Sequence, residues 1–145
     1  MAASSSPARV PNPPDPLTVI PNTALPSVLV VEEHDEMRSA LRAWLLSSFP
    51  PLSLREARSM DEALGFAGQA LDLALVNLEL PGPNGIEGAR ILRIRHPSCR
   101  VVVMSVNDSM VLRSAALAAG AEAFVSKRDL RFALHPIVST LMKAQ

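Results

Sequence analysis

The stretch Leu71-Asp-Leu-Ala-Leu-Val-Asn-Leu-Glu-Leu-Pro-Gly-Pro-Asn-Gly-Ile-Glu87 decides the fold. Leu71 to Val76 is a short, nearly unbroken apolar run, the pattern of a strand buried on both faces. Asn77 closes the run, Leu78-Glu-Leu-Pro-Gly82 follows, and Ile86 to Arg95 reads as a helix that Pro97 breaks. One strand-then-helix unit is legible here, with a polar side chain at the strand's carboxyl end.

Working outward, the same unit recurs. Val28-Leu-Val-Val31 is another two-sided strand, followed by a helix over Asp35 to Ser48 that sets Met37, Leu41, Trp44, Leu45 and Ser48 on one side. Pro50-Pro51 ends that unit, and Leu52 to Ala57 is a weaker strand. Ser59-Met-Asp-Glu62 is a capping-box pattern that opens a helix running to about Gln69. Beyond the central stretch, Arg100 to Ser105 is the fourth strand and Ser109 to Ala119 the fourth helix, stopped by Gly120. Ala123 to Ser126 is the last strand. Asp129 to Lys143 is the last helix, with Leu130, Leu134, Ile137, Val138 and Leu141 on one face and a kink or restart expected at Pro136. Alternating apolar strands and amphipathic helices predict an α/β fold: a doubly wound, five-stranded parallel sheet with helices on both faces.

This pattern begins only after residue 26. Residues 1–26 hold seven of the thirteen prolines (Pro7, Pro11, Pro13, Pro14, Pro16, Pro21 and Pro26), too many for a helix or an interior strand. They read as a disordered, partly polyproline-II tail, more often a spacer than a proline-motif ligand. Residues 27–145 form the domain. With 48% hydrophobic residues the chain can fill one core, and its zero formal charge gives no broad positive field for nucleic acid. Arg90, Arg93 and Arg95 read as a solvated helix surface. The lone Cys99 precludes an intrachain disulfide. No apolar run reaches the length of a membrane span, and the N-terminus lacks the apolar core of a secretory signal, so a cytoplasmic location is expected.

Ligands of such sheets bind at the carboxyl ends of the strands, where strand order reverses. Those ends carry Glu32 and Glu33, Asn77, Ser105 and Lys127: two acids, an amide, a hydroxyl and an amine. At this point the chain resembles the response-regulator receiver domains. The resemblance rests on Val28-Leu-Val-Val-Glu-Glu-His34, on the central stretch, on Val101-Val-Val-Met-Ser105 and on Gly120-Ala-Glu-Ala-Phe-Val-Ser-Lys127, and covers roughly residues 27 to 143. It implies that an acidic pair and an acceptor aspartate hold Mg²⁺, that the aspartate attacks a phosphoryl group, and that the lysine neutralises the growing charge. It further implies that the hydroxyl residue binds the phosphoryl group and draws its loop inward, followed by the aromatic, here Phe124.

The pattern departs from the family at its centre. Asn77 stands at the acceptor position, and a neutral amide is a poor nucleophile. Glu32 and Glu33 stand where the family usually has aspartate, each one methylene longer, so Mg²⁺ is expected to bind weakly at best. The altered acidic pair favours natural drift over an introduced change at Asn77. Glu32 and Glu33 read equally as a metal site and as strand-end acids satisfied by Lys127 and backbone donors. Ser105 reads as a static loop hydroxyl, Phe124 as packing before switch, and Asp35 as a helix N-cap. Of the possible relocated acceptors, Asp72 lies at the wrong end of the sheet, and Glu79 lies near the right end with its direction open. The expected function is a non-enzymatic pseudo-receiver in phosphorelay signalling. It would bind a signalling protein or a second copy through the face of residues 109–143, which carries Met110, Val111 and Leu112 beside Arg113, Lys127, Arg128 and Arg131. Two other classes stay open: an active phosphotransfer receiver with an unusual acceptor, and a small-ligand α/β domain, the latter without a Gly-rich phosphate loop.

Overall fold

The computed structural model describes residues 25–66 and 70–143, with the backbone alone at Arg131. Most of the proline-rich tail, residues 1–24, therefore lies outside the described residues, as does Gln69. The strands are β1 (Ser27–Val31), β2 (Ser53–Ala57), β3 (Leu73–Asn77), β4 (Arg100–Ser105) and β5 (Ala123–Ser126). The helices are α1 (Asp35–Ser48), α2 (Met60–Leu64), α3 (Gly85–Arg95), α4 (Met110–Ala118) and α5 (Leu130–Lys143), with a 3₁₀ turn over Lys127–Asp129. The sheet order is β2-β1-β3-β4-β5, parallel throughout.

The two-sided apolar strands behave as their sequence requires. Successive residues point to opposite faces, so Leu29, Val31, Ala74 and Val76 join one core with Met60, Ala89, Leu92 and Ala116 of α2, α3 and α4. Val28, Val30, Leu73 and Leu75 join the other with Leu41 and Leu45 of α1 and Leu134, Val138 and Leu141 of α5. The chain winds in opposite directions from the β1/β3 pair, which puts the order reversal there and opens a crevice at its carboxyl edge.

Local chemistry fixes the loops at that edge. Asn84 caps α3, its side-chain oxygen accepting from the Ile86 and Glu87 amides at 2.9 and 3.0 Å. Gly85 sits so close to the end of β3 that a Cβ there would lie 2.5 Å from the Asn77 carbonyl oxygen and 2.7 Å from Leu78 Cα. Only glycine permits this approach, and it sets α3 directly above Asn77.

Four expectations need correction. α2 ends at Leu64 instead of continuing to about Gln69, because the Gly65 and Phe66 amides turn back to Glu62 and Ala63 and close the last turn tightly. Asp35 is not the N-cap of α1. His34 holds that position without a side-chain bond, while the Asp35 carboxylate is drawn to Arg38 at 2.6 Å and Arg58 at 3.2 Å. α5 does not restart at Pro136: Leu134, Val138 and Leu141 hold both halves against the sheet, and the proline itself lies on the exposed side. Finally, Leu112 is half-buried against the core and so is not a surface residue of the 109–143 face. No helix among the described residues is long and apolar enough to cross a membrane.

Candidate functional site

The strand ends bring Glu32, Asn77, Ser105 and Lys127 together, and all but Lys127 are fully buried. Glu32 leaves β1 with its amide still paired to the Ala57 carbonyl at 2.9 Å, so its side chain is directed by the sheet. One carboxylate oxygen takes the Lys127 ammonium at 2.8 Å. The other accepts from the His34 amide at 3.1 Å and lies 3.2 Å from His34 Nδ1. Arg38 closes the rim, donating to the Glu32 carbonyl at 2.9 Å. Burial works against ionisation of Glu32, but the Lys127 hydrogen bond, the His34 amide and the Lys127 charge together outweigh it and hold the carboxyl below its ordinary range. Lys127 thus finds its partner in Glu32, one of the two acids the sequence left open.

Asn77 joins two elements. Its amide nitrogen donates to the Glu79 carbonyl at 3.2 Å and makes a longer contact, 3.4 Å, with the second Glu32 oxygen. Both neighbours are acceptors only, so the NH₂ group must face them. The Asn77 side-chain oxygen, fully buried, has no hydrogen-bond partner.

Glu79, whose direction the sequence left open, points at β4. One of its oxygens accepts the Ser105 hydroxyl at 2.6 Å, and the other accepts the Val106 amide at 3.3 Å. Ser105 Oγ in turn accepts from the Asn107 amide at 2.9 Å. This contact links residues 26 apart along the chain and has no local signature. Asp72, by contrast, lies at the amino end of the sheet, where it accepts from the Ser27 amide at 2.8 Å.

Phe124 is buried in the core, and Arg113 covers it, stacking 5.2 Å from the ring centroid while Nη1 donates to the Phe124 carbonyl at 2.9 Å. Around this anchor Val106, Met110 and Val111 are exposed, Val111 to 77%.

The resemblance implied Mg²⁺, and the donor set does not fit it. Mg²⁺ needs near-octahedral oxygen ligands with anionic charge. Glu32 has both oxygens committed, Asn77 offers one neutral oxygen, and Glu33 is exposed, with no hydrogen bond or ion pair to the cluster. Among the described residues no three His, Cys, Asp or Glu side chains gather in a way that could hold a metal ion.

A parallel five-stranded sheet of this order, with an acid, a hydroxyl and a lysine at the carboxyl ends of its strands, is the architecture of the receiver class of α/β folds. Residues 28–138 match the response regulator receiver domain family, and the chain belongs to it: a receiver domain of two-component signalling. It is similar to the transcriptional activator protein ExaE of Pseudomonas putida, 38% identical over 69% of this chain and 47% of that protein. It is also similar to the nitrate/nitrite response regulator protein NarL of Escherichia coli strain K12, 32% identical over 75% of this chain and 53% of that one. Among solved structures, a LuxR family DNA-binding response regulator from Silicibacter pomeroyi superposes with a TM-score of 0.71 at 28% identity, over 83% of this chain and 94% of that chain. The chain spans about half the length of the curated relatives it matches.

Proposed function

We propose that this domain is a pseudo-receiver: Asn77 stands at the acceptor position, takes no phosphate there, and the domain acts without enzymatic activity of its own through protein contacts. The observation that carries this reading is the seat of Asn77, whose neutral amide is used as a donor between Glu32 and the Glu79 backbone. A carboxylate nucleophile is absent from that seat, and the lysine that would neutralise a phosphoryl group is paired to Glu32.

The contact surface runs over residues 109–143, with exposed Met110 and Val111 on α4 and Arg128 before α5. Lys127 is committed inside the crevice and does not belong to this surface. Its partner is a signalling protein or a second copy of the domain, in the cytoplasm, and not nucleic acid. Arg113 is a poor probe of the surface because it anchors the Phe124 carbonyl; Met110→Glu and Val111→Glu test it cleanly and should abolish partner binding or self-association.

Intact mass after exposure to acetyl phosphate with Mg²⁺ tests the acceptor. No phosphoryl gain is expected. A gain, whether or not it survives Asn77→Ala, would overturn the reading.

A further inference from the structure

We infer that the Glu79 carboxylate is a tethered anion that occupies an oxyanion-binding pair, the Ser105 hydroxyl and the Val106 amide, and so holds the β4–α4 loop in one conformation without any added group. The inference deepens the pseudo-receiver reading and rests on it, since it names what sets the state of the same crevice.

The geometry is that of a two-point grip. Each Glu79 oxygen meets a different donor, Ser105 Oγ at 2.6 Å and the Val106 nitrogen at 3.3 Å. The first is short, as expected where a hydroxyl meets an ionised carboxylate. Ser105 is fully buried, so its hydroxyl has few other ways to be satisfied. The same oxygen then accepts from the Asn107 amide at 2.9 Å, which passes the restraint two residues into the loop. Ser109 lies two residues further on and caps α4, accepting from the Leu112 amide. A carboxylate on β3's loop therefore fixes the path of the chain into α4.

The carboxylate is itself held from the other side. The Asn77 amide donates to the Glu79 carbonyl at 3.2 Å, and the Leu78 amide to the Met104 carbonyl at 2.7 Å. The backbone bearing Glu79 is thus pinned next to β4 before its side chain reaches across. A hydroxyl and a backbone amide converging from one loop suit any small oxyanion; here the chain supplies its own. Val106 is 62% exposed and Met110 75%, so the loop so fixed carries part of the apolar surface offered to a partner.

The test is amide exchange by NMR at Val106 and Asn107 in the full chain, its Glu79→Gln variant and its Glu79→Ala variant. A hydrogen bond to a charged group predicts Val106 exchange faster by on the order of tenfold or more in Glu79→Ala, with a smaller rise in Glu79→Gln. Unchanged exchange at Val106 in both variants would overturn the inference. So would a Glu79→Gln variant that behaves as the parent, because the grip would then not depend on the anion. Should Glu79→Ala fail to fold, the glutamine variant alone decides. The two readings fail separately: phosphoryl gain by the parent chain overturns the pseudo-receiver, and unchanged Val106 exchange overturns the grip.

Discussion

Replacing Asn77 by aspartate tests whether the crevice is built around a neutral amide. The side chain is fully buried, with a Glu32 carboxylate oxygen at 3.4 Å and the Glu79 carbonyl at 3.2 Å from its amide nitrogen. In Asn77→Asp an anion faces an anion and a carbonyl. Two unit charges at about 3.4 Å repel by about 5 kcal/mol at an effective dielectric of about 20. Protonation caps that cost: keeping an aspartyl group neutral at pH 7 spans about 3 pH units at 1.36 kcal/mol each, or about 4 kcal/mol. The lost donor to the Glu79 carbonyl adds about 1 kcal/mol, and a shift of Lys127 towards the new carboxylate offsets part. A loss of about 3–5 kcal/mol at pH 7 follows, measured by urea unfolding. The sign is set by linkage. The introduced carboxyl has a folded pKa above its unfolded value, so the deficit grows with rising pH by up to about 1.4 kcal/mol per unit and shrinks towards pH 4. Mg²⁺ should narrow the gap in Asn77→Asp by binding its folded form, and leave the parent chain unmoved. A deficit below about 1 kcal/mol, or one flat between pH 5 and 7.5, would refute the argument.

Three further outcomes are expected. Lys127→Met removes the cation 2.8 Å from the buried Glu32 carboxylate, and should cost about 3 kcal/mol at pH 7 by urea unfolding. Because the parent's Glu32 pKa is depressed, its contribution is present above the unfolded value near pH 4.5 and lost as pH falls through the folded one, so the two chains should converge on acidification. Gly85→Ala drives a methyl into the Asn77 carbonyl and Leu78 Cα, both backbone, and should lower stability by about 2–3 kcal/mol with altered Asn77 and Leu78 amide shifts. Cys99 is buried and its thiol is pushed up to about 12, chiefly by desolvation, so iodoacetamide should leave it unmodified at pH 8 until urea unfolds the chain.

The fold was legible because β1, β3, β4 and β5 are mostly apolar runs, and Arg100–Ser105 and Ala123–Ser126 begin and end where their residues say. What failed were ends decided by contacts from elsewhere. The arginines Arg38 and Arg58 draw Asp35 away from a cap, and burial of Leu134 and Val138 carries α5 past Pro136. In the crevice, the position of each residue could be read from strand ends, but not its direction. Glu79 lies in a loop whose path depends on the close approach of Gly85 to β3 and on the Leu78–Met104 hydrogen bond, neither of which has a local periodicity. The Asn84 cap of α3, an Asn followed by Gly-Ile-Glu, was the one readable signal in that loop that sequence reasoning passed over.

Charge connects the buried polar residues of the crevice. Glu32 is balanced by Lys127, and Glu79 is held by a hydroxyl and an amide, so the crevice closes its electrostatics without a divalent ion provided residue 77 is neutral. An aspartate there adds one buried negative charge that could only share Lys127 with Glu32, and a metal becomes the natural remedy. The amide at 77 and the ion pair from Glu32 to Lys127 are in this sense one feature. Asn77→Asp alone is therefore expected to create a need for metal.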